Sequence, residues 1–129
     1  MKKLLLSLAM IALSSLPALA ADPLLGLWKT QVDDGAYAYV DVHPCGAKIC
    51  GTIVRTFNAQ GEYKSENLGK DIIRGMVPQG DGYYKGNVWR PSNDKIYIGK
   101  IILKGNSMKM KGCVAGGLFC ASQTWTRIK

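Results

Sequence analysis

Short runs rich in Val, Ile, Tyr, Thr and Trp recur along most of the chain between Gly, Asn, Asp and Pro, and no long stretch keeps a helical period. In Ser107-Met-Lys-Met-Lys-Gly112 the period is two, which turns Met108 and Met110 to a core and Lys109 and Lys111 to water. Ala38, Val40 and Val42 share one strand face in the same way, and Tyr37, Tyr39, Asp41 and His43 the other. The pattern predicts seven strands, over 25–31, 37–43, 49–56, 83–90, 95–103, 107–114 and 122–128. Turn residues separate them at Asp33-Asp34-Gly35, Pro44-Cys45-Gly46, Asp81-Gly82, Ser92-Asn93-Asp94 and Gly105-Asn106. So many short strands must close or stack to hide their edges, so the expected fold is all-β, a small antiparallel barrel or sandwich. Asn58 to Val77 is the least patterned region, expected to be a long loop with a short helix or an extra strand around Ile72 to Val77.

The first 20 residues follow a different rule. Lys2 and Lys3 precede an apolar stretch from Leu4 to Leu13, then Pro17 and the small residues Ala18 and Ala20. This is the order of a cleavable secretory signal, with cleavage expected after Ala20. Removing 20 of 129 residues leaves 109, residues 21–129, expected to form one domain. The apolar stretch is shorter than the roughly 20 residues a membrane span needs. A periplasmic or secreted location follows.

Cys45, Cys50, Cys113 and Cys120 all lie beyond the leader, and an even count in a short exported chain implies disulfides. Three connectivities are open; the glycines inside each close pair favour Cys45 with Cys50 and Cys113 with Cys120. The C-x4-C and C-x6-C spacings, without a cluster of His, argue against zinc.

The full chain carries a formal charge of +8, and without Lys2 and Lys3 it carries +6. Such a balance suits anionic partners such as lipid headgroups, lipopolysaccharide or nucleic acid. The lysines are scattered among apolar residues with no block of five, which reads as a solvated face, and no nucleic-acid recognition motif accompanies them.

Catalytic chemistry is sparse. His43, the lone His, ends a strand before Pro44 and reads as a turn or surface residue. No G-x-S-x-G elbow or phosphate-cradling loop occurs, and the adjacent Asp33 and Asp34 read as turn formers. No catalytic residue, metal ligand or cofactor is assigned, and an enzyme is disfavoured.

Gly26-Leu27-Trp28 resembles the G-x-W of the first strand in lipocalins and related calycin barrels, and Arg127 resembles the basic residue that packs over that tryptophan. A wider resemblance runs through Cys45-Gly46, Ile49-Cys50-Gly51-Thr52-Ile53, Trp89-Arg90-Pro91, Tyr97, Gly112-Cys113, Phe119-Cys120 and Gln123-Thr124-Trp125-Thr126-Arg127. Together these residues are similar to the DUF2147 family of small exported bacterial proteins. The resemblance implies a lipocalin-like barrel in the cell envelope with an internal cavity, and it brings no catalytic residues. The turn Ser92-Asn93-Asp94-Lys95 departs from the more acidic, Gly-containing turn expected there.

Trp28 and Trp125 are expected to fill the core or close the barrel, Trp28 with Arg127 stacked on it. Arg74, Trp89, Arg90 and Tyr97 combine aromatic faces with cations beside loops and are the candidate ligand-binding residues. The reading is an exported binding protein for a small apolar or amphipathic molecule, with an acidic head group such as a fatty acid's. The alternatives are an envelope protein-binding module or protease inhibitor and, behind these, a periplasmic hydrolase.

Overall fold

A computed structural model describes residues 21–129, so the leader and its cleavage site lie outside the described residues. Nine strands follow one another: β1 (Gly26–Lys29), β2 (Ala36–Cys45), β3 (Lys48–Asn58), β4 (Gly61–Tyr63), β5 (Asp71–Gly80), β6 (Tyr83–Arg90), β7 (Lys95–Lys104), β8 (Ser107–Val114) and β9 (Phe119–Arg127). Every pairing is antiparallel. β1 bonds to both β2 and β9, so eight strands close into a barrel, while the short β4 only extends the β3 hairpin. Closure leaves the barrel without an open edge.

Alternation fills the barrel. Val40, Val42, Ile53, Ile73, Ile101, Met108, Met110 and Trp125 are buried, while Lys109 between the two methionines is exposed. Of the two alternatives around Ile72 to Val77 the strand is the one that forms, and it is longer than expected: β5 runs ten residues from within the region expected to be mostly loop, with Ile72, Ile73 and Met76 buried. Its alternation is broken by a register shift between Arg74 and Val77, where Gly75 has φ +73°. Such a bulge inserts a residue out of step with the period of two. The expected first strand is shorter than 25–31 because only Gly26–Lys29 form strand, Thr30 continuing with one backbone bond to the Ala38 carbonyl.

The two ends differ. At one, the segment before β1 folds inward: Leu24 and Trp28 are fully buried, and the Trp28 Nε1 donates to the Leu24 carbonyl at 2.9 Å. The Arg127 guanidinium lies 4.4 Å from the Trp28 ring centroid, inside the roughly 6 Å reach of a cation–π contact, and donates to the Leu25 and Pro23 carbonyls. Tyr84 reaches the same plug, its hydroxyl donating to Asp22 Oδ1 at 2.5 Å. Burial, helped by this bond to Asp22, pushes the phenol far above its ordinary value. The Cys45–Cys50 disulfide joins the β2–β3 hairpin at this end, and Cys113–Cys120 joins the β8–β9 hairpin at the other.

Candidate functional site

The end away from the plug opens into a cavity of about 430 Å³. Its wall mixes apolar groups (Ile53, Ile72, Val88, Met110, Trp125) with a polar rim that includes Thr30, Gln31 and Ser92. Small residues make the space. Gly86, Gly99, Gly112 and Ala121 stand opposite one another across β6, β7, β8 and β9. A Cβ on Gly86 would lie 2.5 Å from the Gly75 carbonyl oxygen, so two strand backbones touch there. Gly112 and Ala121, by contrast, line the cavity itself.

Of the candidate ligand residues, Trp89, Arg90 and Tyr97 lie on the cavity lining, and Arg74 does not. Trp89 is almost buried and donates its Nε1 to Asp94 Oδ1 at 2.8 Å. The Lys70 ammonium and Arg74 guanidinium stand 5.6 and 5.3 Å from its ring centroid, and Arg74 also donates Nε to the Asp71 carbonyl. Tyr97 accepts a bond from Asn93 Nδ2 at 2.7 Å. The departing turn therefore has a role: Asn93 and Asp94 hold the two aromatic residues, and Asp94 takes a φ of +54° in doing so.

Arg90 forks onto both oxygens of Asp33, at 2.9 and 2.8 Å, tying the loop after β1 to the end of β6. The hydrogen bonds from Arg90 hold the Asp33 carboxyl below its ordinary range, and Asp33 in turn raises the Arg90 guanidinium. Half of the cationic pair expected at the mouth is thus neutralised by a partner 57 positions away, which strand patterning does not reveal. Trp125, read as a core residue, also faces the cavity, and its Nε1 is satisfied by Gln123 Oε1 at 2.9 Å. His43 lies away from the lining, with Nδ1 3.0 Å from the Asp41 carbonyl oxygen. Among the described residues no three His, Cys, Asp or Glu gather as a metal would require, and no helix is long and apolar enough to cross a membrane.

Residues 26–127 match the family described as an uncharacterized protein conserved in bacteria, DUF2147. The chain belongs to DUF2147. The match takes in all of the barrel from β1 to β9. Among solved structures, this DUF2147 chain is similar to HP1028 of the human pathogen Helicobacter pylori, a protein described as belonging to the lipocalin family. The TM-score is 0.64 at 15% identity, over 82% of this chain and 83% of the other, a likeness of fold. Among curated proteins none matches the sequence.

Proposed function

We propose that this DUF2147 barrel is an exported carrier that holds one small amphipathic molecule, its apolar part in the cavity and its polar head at the rim. The observation that carries the reading is the cavity of about 430 Å³ at one end of an otherwise filled barrel, within the usual range for small-molecule sites. Binding draws on apolar burial at about 25 cal/mol per Å². Trp89 and Tyr97 offer rigid ring faces, and Lys70 and Arg74 set positive charge beside Trp89, which suits an acidic head group. Arg90 shapes the rim through its pair with Asp33, while Lys70 and Arg74, which lie off the lining against the Trp89 ring, add positive field beside the mouth and not a direct contact. Storage fits this lining better than turnover: among its described residues the one carboxylate, Asp33, is ion-paired, and no His joins its serines. The paired cysteines and the leader-like first 20 residues support a periplasmic or secreted location with a chain beginning near Ala21.

Native mass spectrometry of protein purified from an expressing bacterium should show a retained small molecule. Stripped protein should bind long-chain fatty acids with a change in Trp fluorescence, and the matching alcohols more weakly. Absence of both a retained ligand and any fatty-acid titration would overturn the reading. N-terminal sequencing of the envelope fraction that found Met1 intact would overturn the export part of it.

A further inference from the structure

The barrel's charge is divided by position. Residues 95–129 hold seven Lys and Arg and no Asp or Glu, a net +7, whereas residues 21–94 hold eight basic and nine acidic residues, a net −1. The strands that carry the basic part, β7, β8 and β9, are neighbours in the barrel, and apart from Arg127, which is engaged in the plug, their cations are lysines. What reads in sequence as scattered lysines is gathered by register: Lys85 stands opposite Lys100, and Lys100 opposite Lys111. The adjoining row, Tyr84, Ile101 and Met110, is buried, so the three lysines point outward together. Like charges directly opposite on a sheet are destabilising, and the strand residues of β6 to β9 include no carboxylate to relieve them.

At the open end of the β6–β9 wall the β8–β9 loop projects an apolar tip. Leu118 is 75% exposed and Phe119 66%, with Val114 beside them. The Cys113–Cys120 disulfide clamps the base of the loop, and Lys100 Nζ donates to the Gly117 carbonyl at 3.2 Å, joining tip to wall. The same hairpin lines the cavity through Gly112 and Ala121.

Cations beside exposed large apolar side chains match a bilayer with anionic headgroups, where phosphates meet the lysines and the tip enters the acyl boundary. We propose that the β6–β9 wall docks this protein on an anionic phospholipid surface, with Leu118 and Phe119 inserted and the cavity mouth brought to the lipid. That the mouth then exchanges its ligand with the membrane rests on the carrier reading; the docking itself does not.

The test is sedimentation of the protein, as processed by a bacterial host, with phosphatidylcholine vesicles that contain or lack phosphatidylglycerol. Binding should require phosphatidylglycerol and weaken as salt rises. A Lys85→Gln, Lys100→Gln, Lys111→Gln variant should lose on the order of a hundredfold in affinity at an undiminished melting temperature, as three surface-facing lysines imply. Phe119→Trp should show a blue-shifted emission, quenched by brominated lipid, only with the anionic vesicles. An Ala121→Trp variant, its cavity obstructed, should still bind vesicles, which separates failure of docking from failure of the carrier reading. Equal binding to both vesicle types, binding to heparin or RNA but to neither vesicle, or full binding by the triple variant would overturn the proposal.

Discussion

Replacing Trp28 by Ala should damage stability and spare ligand binding. Trp28 is fully buried, and truncating a buried Trp costs about 3 to 5 kcal/mol in transfer and cavity terms. The indole also satisfies the Leu24 carbonyl and supports Arg127 at 4.4 Å, so a figure toward the upper end, about 4 to 5 kcal/mol, is expected. For a domain near 100 residues, with about 4 °C per kcal/mol, the melting temperature should fall by roughly 15 to 20 °C. Arg127→Ala should cost less, about 1 to 3 kcal/mol, because the Pro23 carbonyl it leaves can find water. The double variant should show a coupling of about 0.5 to 2 kcal/mol, since each single change removes the stack. Circular dichroism melts and urea titrations measure both quantities, and fatty-acid titration at low temperature measures the cavity. A loss below about 1 kcal/mol for Trp28→Ala would refute the plug. So would a stable variant that binds ligand more than tenfold more weakly, because Trp28 does not line the cavity.

Stability should also fall as pH rises above about 10, because the folded state holds the Tyr84 phenol neutral well beyond the range where the unfolded chain ionises it; urea midpoints across that range should lose the slope in Tyr84→Phe. At the acid end, the Asp33 pKa is lowered by Arg90, so its stabilisation is complete above the ordinary carboxylate range and fades as pH falls below it. Asp33→Asn should remove that dependence with only a small loss at neutral pH, and an unchanged acid profile would count against the pair. Reducing the Cys45–Cys50 link, whose ends are 5 positions apart, should cost about 2 to 3 kcal/mol by chain entropy, read from melts with and without reductant.

Strand identity was legible where alternation is clean, as at Met108 and Met110, where Lys109 between them marks the outer face. At β5 alternation left strand and helix both open around Ile72 to Val77, because a bulge at Gly75 shifts the register in mid-strand, and it missed β4 because three exposed residues leave no hydrophobic trace. Both cysteine pairs were readable because each closes a local hairpin. The site was harder to read. Trp89 and Tyr97 stood out as aromatics beside a turn, but that Asn93 and Asp94 fasten them depends on side-chain directions. That Asp33 occupies Arg90 depends on a contact between the loop after β1 and β6. The lysine row needs the register of three strands, information that no single strand contains.

The seam between β1 and β9 constrains the order of folding. Trp28 pairs with Arg127 across 99 positions, and the plug needs Asp22 to Leu25 together with Arg127. A chain emerging N-terminus first therefore cannot close its barrel until the final strand has appeared, however early the β2–β3 hairpin forms. Contacts so distant in sequence also close slowly. An interval follows in which an almost complete chain still has an unclosed barrel, with the β1 edge waiting for its last partner.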